Sequence, residues 1–288
     1  MKDLILGTAI NYTQKQLELF LLSINKCFTG DVVLFSNMHY KLTDLNYNLK
    51  IINPAGDLDK YPKLNTANNY RYFLYLDYLK QFQYNKILLT DCRDVFFQSN
   101  PFNRIIDELL CVAVEDNTIG NCSYNANWIQ TMYGNDYLEK VNDENIICSG
   151  TTIAVHSTIM DYLFYITAAL EKFGQQLDAG NKEFVLDQGI HNKYCDEFSG
   201  QIKKNTNTGD LFLTAGYTRS FHINRLGDVT NNDGEVYSII HQYDRIDWLS
   251  RHLQHQLKLA SKHQDHSNVP GEGLKGITKR LLKKIKAK

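Results

Sequence analysis

Two carboxylates stand at the end of one short apolar run. Residues 86–102 read KILLTDCRDVFFQSNPF, so Ile87, Leu88 and Leu89 lead into Asp91 and Asp94. Val95, Phe96 and Phe97 follow, and Asn100-Pro101 closes the segment. In open α/β sheets, ligands bind outside the carboxyl ends of the strands. Two acids three residues apart among hydrophobic neighbours are costly to bury without a partner. Mg²⁺ or Mn²⁺ meets that cost, because carboxylate oxygens suit both ions. A salt bridge to Arg93 or a turn cap would also meet it, and spacing alone does not separate these readings.

The whole stretch resembles the metal-binding Asp-x-Asp region of GT-A-fold glycosyltransferases: an apolar strand, a two-acid cluster, Val-Phe-Phe and a closing Asn-Pro-Phe. It departs from that pattern in that Asp91 and Asp94 lie one residue further apart. The resemblance implies a metal on the diphosphate of a nucleotide sugar. It also implies an α/β fold of the GT-A (Rossmann-like) kind, a mixed, mostly parallel sheet flanked by helices.

The elements that must position the acids can be read in order. Residues 4–9 are apolar and strand-like, and residues 14–27 show helical spacing at Leu17, Phe20, Leu21 and Ile24, with Thr13 as N-cap. Residues 32–36 and 49–53 read as further strands, and this alternation predicts a parallel sheet covered by helices. By the resemblance, the loop after the first strand holds base and ribose, which points to Thr8, Ala9, Asn11 and Tyr12; a plain strand-to-helix loop is the other reading. Residues 64–82 form a helix containing Tyr70-Arg71-Tyr72. This resembles the Tyr-x-Arg segment of retaining family-8 galactosyltransferases, whose arginine faces the donor. A guanidinium suits a diphosphate because its planar fork bonds two oxygens. The alternative is an arginine facing solvent.

Residues 109–115 read as a strand, and residues 117–145 are polar but carry Tyr124, Trp128, Tyr133 and Tyr137, a composition suited to an acceptor wall or to ordinary helix packing. Residues 146–155, IICSGTTIAV, break at Ser149-Gly150. The family-8 enzymes have a small motif there, where backbone must approach the donor sugar, and glycine permits that approach. Residues 157–173 read as a helix with an apolar face. Asp187-Gln188 matches the pair that begins a helix beneath the donor sugar, and is equally a helix N-terminus with a capping acid. Residues 237–245, YSIIHQYDR, end a strand at His241, where family-8-type enzymes place a metal-ligating histidine. A structural histidine is the alternative, and His222 and His191 are weaker candidates.

The 288 residues, 43% of them hydrophobic and 12% aromatic, allow one large α/β domain or two small ones. A formal net charge of −1 gives no global field for nucleic acid. Six cysteines (27, 92, 111, 122, 148, 195) without a C-x-x-C pair read as reduced thiols of a cytosolic protein. The apolar run in the first residues is too short for a signal peptide and no stretch is long enough to span a bilayer. The expected division is a catalytic domain over 1–249, a polar helix and linker over 250–273, and a basic amphipathic tail over 274–288. Leu274, Ile277, Leu281, Leu282 and Ile285 recur at helical spacing among seven lysines and arginines from residue 275 on. Such a helix suits an anionic membrane surface, and a solubilising tail or a partner-docking helix is the alternative.

Taken with the resemblance, these features lead us to expect a metal-dependent hexosyltransferase of the retaining kind, held on the inner face of the plasma membrane. It would move sugar from a nucleotide diphospho-sugar, UDP-linked by family habit, to a glycan or lipid-linked acceptor. The metal ligands would be Asp91, Asp94 and His241. Arg71, Ser149 and Gly150 would bind the donor, and Asp187 and Gln188 would serve at the sugar. An inverting enzyme would need a carboxylate base, for which Glu115, Asp116 and Asp187 are the candidates. Two other classes are a metal-dependent phosphodiesterase or nucleotidyltransferase, and a non-catalytic membrane-bound scaffold of the same fold.

Overall fold

The computed structural model describes residues 1–55, 66–104, 107–176 and 186–267. The expected tail over 274–288 lies outside the described residues. In chain order the first elements are β1 (Leu4–Thr8), α1 (Gln14–Cys27), β2 (Asp31–Phe35), β3 (Asn48–Ile52), α2 (Ala67–Leu79), β4 (Lys86–Thr90), β5 (Val95–Phe97) and β6 (Leu110–Thr118). There follow α3 (Ser123–Tyr133), α4 (Asn135–Val141), β7 (Asn145–Val155), α5 (His156–Gln176), α6 (Asp187–Glu197), β8 (Ile202–Asn205) and β9 (Phe212–Thr214). The last are β10 (His222–Ile223), β11 (Val229–Thr230), β12 (Ile239–His241) and α7 (Asp247–Ser267).

The α/β expectation holds, with a mainly parallel central sheet flanked by helices. Its strand order is β3-β2-β1-β4-β7-β6-β8, and β7 runs antiparallel to both of its neighbours. The continuous apolar runs of β1 and β4 follow from burial on both faces. Leu4, Leu6, Ile87 and Leu89 point into a core shared with α2, α5 and α6. Ile5 and Leu88 point the other way, towards Leu17, Phe20, Leu21 and Ile24 of α1. The α1 stripe is the one the sequence spacing predicts, and Gln16 Oε1 accepts from the N–H and hydroxyl of Thr13 at the helix start.

Three local arrangements position the site. β1 and β4 are parallel with Gly7 opposite Thr90, so the loop after Thr8 opens at the sheet edge where Asp91 emerges. β7 runs back along β4 with Thr151 opposite Thr90, and Asp91 N–H donates to Gly150 O at 2.8 Å. Against β6, the register of β7 slips between the pairs Val112–Thr152 and Ala113–Cys148. Ser149, Gly150 and Thr151 therefore bulge at the same edge, as irregular strand positions do beside functional sites.

The third arrangement is a separate three-stranded sheet, β5-β12-β9, which the sequence does not announce. In it β12 pairs antiparallel with β5 and places His241 opposite Val95. Its core joins Phe96, Leu213, Tyr237 and Ile240 to Leu249, Leu253 and Leu257 of α7. The expected boundary at 249/250 thus falls inside α7, whose next two turns carry buried leucines of that core. Among the described residues, no helix is long and apolar enough to cross a membrane. All six cysteines are free, five of them buried.

Candidate functional site

Asp91, Asp94 and His241 converge where β4 and β12 end and β5 begins. His241 Nε2 lies 3.5 Å from Asp91 Oδ2 and 3.7 Å from Asp94 Oδ1. Donors that share one ion at 2.0–2.2 Å are at most about 4.4 Å apart, so both spacings admit a common ion. Gly150 makes the room: a Cβ there would stand 2.2 Å from His241 Cε1 and 2.7 Å from Asp91 Oδ2. Two carboxylate oxygens and an imidazole nitrogen fit Mn²⁺ or Mg²⁺, and the imidazole favours Mn²⁺ of the two. The pairing of Asp91 and Asp94 with Arg93 is weak by comparison. Arg93 reaches Asp94 only at 4.0 Å and bonds Asp244 at 3.0 Å.

The charges of this cluster are strongly coupled. Burial opposes ionisation of Asp91, but Arg71 and His241 outweigh it and hold its carboxyl well below the usual range. Burial raises Asp94, with His241 pulling down and Asp91 pushing up. Burial also disfavours the His241 imidazolium, yet Cys148, Asp94 and Asp91 around the ring outweigh it and push its pKa well up.

Arg71 does not face solvent. α2 is apolar nearly all round and therefore buried, and Arg71 is 7% exposed. Its Nη1 donates to Asp91 Oδ1, and its Nη2 donates to Asp187 Oδ2 at 2.8 Å. The Arg71–Asp187 pair is nearly dry, with side chains 9% and 2% exposed. Burial raises the Asp187 pKa, and Arg71 pulls it back. Asp187 begins α6 as expected, and its second oxygen, Oδ1, is buried without a hydrogen-bond partner among the described residues. Gln188 bonds the β7 bulge: its Oε1 accepts from Ser149 N–H at 3.1 Å and from Ser149 Oγ at 3.0 Å.

Two cavities meet over the acids. A cleft of about 230 Å³ extends from Asp91, Asp94 and His241 past Ser149, Gly150, Asp187 and Gln188. A second, of about 250 Å³, runs from the same acids to Thr8 and Tyr12. Ala9 is buried beneath that loop, and Asn11, at a positive φ of 61°, turns outward to bond Asn37. Of the aromatic residues over 117–145, Tyr124 and Trp128 line the first cleft. Tyr137 instead donates to Asp196, and Tyr133 packs on Phe173.

Sequence reasoning passed over Tyr217, Gln242 and Arg245, which also line this cleft. Gln242 and Arg245 stand one and four residues past His241, and that proximity was the available signal. Tyr217 arrives through the β9–β10 connection and left none. Glu115, one of the candidate bases, is 5% exposed, lines the cleft and accepts from Gln242 Nε2 at 3.0 Å, whereas Asp116 is exposed.

Neither alternative histidine joins the cluster. His222 is exposed beside Asn232. His191 is fully buried, with Tyr162 Oη 2.7 Å from its Nδ1, and burial pushes its pKa down to about 3. The folded protein therefore keeps His191 neutral while the unfolded chain, at about 6.5, takes up a proton. Stability from this group is complete above pH 6.5 and falls as pH drops from there towards 3, by up to about 1.4 kcal/mol per pH unit. We expect His191→Gln to flatten the decline between pH 6 and 4 in urea unfolding. An unchanged slope would mean that the ring is already charged in the fold.

No protein-family model matches the sequence, and no curated protein matches it. Function is therefore read from the site's own geometry.

Proposed function

We propose that this chain is a metal-dependent glycosyltransferase of the GT-A kind, moving a hexose from a nucleotide diphospho-sugar to a hydroxyl with retention. The observation that carries the reading is the junction of two cavities over Asp91 and Asp94, with His241 beside them in the first. A donor has a nucleoside at one end, a sugar at the other and a diphosphate between, and the joined cavities reach from the acids to Thr8 and Tyr12 on one side and to Ser149, Gly150, Asp187 and Gln188 on the other. Thr8 and Tyr12 bound the nucleoside end, and uridine is the base the resemblance favours. Asp91, Asp94 and His241 would hold Mn²⁺ or Mg²⁺, which supplies charge to neutralise the departing diphosphate.

At the sugar end, Asp187 Oδ1 is an unused acceptor for a sugar hydroxyl, and Arg71 fixes the carboxylate that carries it. Gln188 holds the Ser149–Gly150 bulge against the same compartment. Tyr124 and Trp128 offer aromatic faces to a glycan acceptor at the cleft wall. Buried donors and acceptors held in place before the substrate arrives avoid reorganisation during the reaction.

A phosphodiesterase or nucleotidyltransferase of the two-metal type would need a second set of ligands. Among the described residues only these three groups gather as a metal cluster. A non-catalytic scaffold of the same fold would consume no donor, so incubation with donors separates it from the enzyme.

The test is incubation with a panel of nucleotide sugars and Mn²⁺, following release of nucleoside diphosphate. One donor should be consumed slowly, EDTA should stop it, and NMR of the transferred sugar should show a retained anomer. If no donor is consumed, with or without a glycan acceptor, the reading fails.

The proposed acceptor is a surface glycan or its lipid-linked precursor, met at the inner face of the plasma membrane through residues 274–288. Full-length protein should sediment with anionic liposomes at low salt, and a chain ending at His266 should not, since each basic residue contributes about 1 kcal/mol near such a surface. Equal sedimentation of the two would end the membrane proposal.

A further inference from the structure

Three arginines line the joined cavities, and their partners differ. Arg71 is bonded to Asp91 and Asp187. Arg93 is bonded to Asp244. Arg245 is exposed and has no carboxylate partner among the described residues, yet it lines both cavities, as Asp91 and Asp94 do. Its guanidinium lies 5.9 Å from the Tyr217 ring centroid, which steadies it at the cleft without neutralising it.

The backbone that puts it there is unusual. Gln242 follows His241 directly and has φ 59°, a left-handed conformation uncommon outside glycine. Such a conformation persists only where the surroundings hold it. Here Gln242 N–H donates to Asp94 O at 2.9 Å, and its side chain donates to Glu115. The sharp turn lets a short 3₁₀ segment, Tyr243–Arg245, bring Arg245 back to the cavities that the acids line. Gly216 opposite leaves the space: a Cβ there would come within 2.1 Å of Gln242 Oε1 and 2.7 Å of Arg245 Nη1.

We infer that Arg245, and not Arg71, is the protein's cation for the donor diphosphate. This rests on the nucleotide diphospho-sugar reading and names the residue that meets the phosphates. Any ligand that reaches from Thr8 and Tyr12 to Ser149 and Asp187 passes the residues common to both cavities. At that point Arg71 is already committed to two carboxylates, while the five N–H donors of Arg245 are open to phosphate oxygens.

The experiment is calorimetric titration of wild type, Arg245→Ala and Arg245→Lys with UDP, GDP, ADP and CDP and their monophosphates, in Mn²⁺. For the diphosphate that wild type binds, Arg245→Ala should weaken binding about ten- to hundredfold, the range of a lost charge-assisted bond. The matching monophosphate should lose much less. Arg245→Lys should recover part of the loss, since it keeps the charge but not the fork. Melting temperatures should stay level, because Arg245 holds no ion pair among the described residues. Diphosphate binding by Arg245→Ala within twofold of wild type overturns the inference, and so does an equal loss for mono- and diphosphate. If wild type binds none of the diphosphates, the donor reading itself falls and takes the inference with it.

Discussion

Replacing Arg71 with alanine will cost about 3–5 kcal/mol of stability, read as a lower urea midpoint at unchanged slope. The cause is Asp187, whose side chain is 2% exposed and whose counter-ion is Arg71. Most of the loss is the penalty for leaving that carboxylate buried without a partner; Asp91, 35% exposed, adds little because water screens it. In the variant the folded-state pKa of Asp187 rises further above its unfolded value. The protonated form stabilises the fold below the unfolded pKa, and that contribution is lost as pH rises through the folded one. The deficit against wild type should therefore widen from mild acid towards neutral pH. Arg71→Met combined with Asp187→Asn should recover much of the stability, because no buried charge is then left alone. A deficit below about 1 kcal/mol in Arg71→Ala, on the scale of an exposed ion pair, would show that the pair is not dry.

Asp94→Asn and His241→Ala will each weaken Mn²⁺ binding by more than about a hundredfold, beyond the 10–100-fold typical of groups one shell further out. Turnover of the donor should fall in step. Gly150→Ala should do the same without removing a ligand, since its Cβ would occupy the space of His241 Cε1 and Asp91 Oδ2. Ligation needs the neutral ring, and its neighbours push the His241 pKa up, so affinity should drop as the medium is acidified. Wild-type affinity in His241→Ala would take the imidazole out of the donor set and leave two carboxylates as the whole site.

The parts of this fold that were legible in the sequence are those set by local pattern. Ile87–Leu89 reads as a buried strand because both faces of β4 are covered, and α1 shows a stripe because Gln14, Lys15, Gln16 and Glu18 are left to water. The acids at the end of β4 followed from the strand. Pairing between distant segments was not legible. Nothing near His241 says that β12 lies against β5 in a second sheet, and that register alone sets the ring opposite Val95. The carboxylate partners of Arg71 were not legible for a similar reason. A guanidinium suits phosphate and carboxylate alike, and only burial beside Asp187 decides between them. The left-handed turn at Gln242 had no signal at all, because glutamine is not a residue that marks such a turn.

The second sheet has a consequence for the order in which the chain is made. At about 5–20 residues per second, the 147 positions that separate Asp94 from His241 occupy a ribosome for roughly 7 to 30 s. Arg71 precedes Asp91 and is present from the start, so this acid is born with its counter-ion. Asp94 must wait for the imidazole. During that wait β5, with Val95, Phe96 and Phe97, has no strand beside it, since its strand partner among the described residues is β12. An unpaired apolar edge of this kind invites pairing with another chain. Nascent chains halted before Tyr237 should therefore recruit chaperones or aggregate, and emergence of the segment that carries β12 should end that vulnerability at the same moment as it completes the cluster of acids and imidazole.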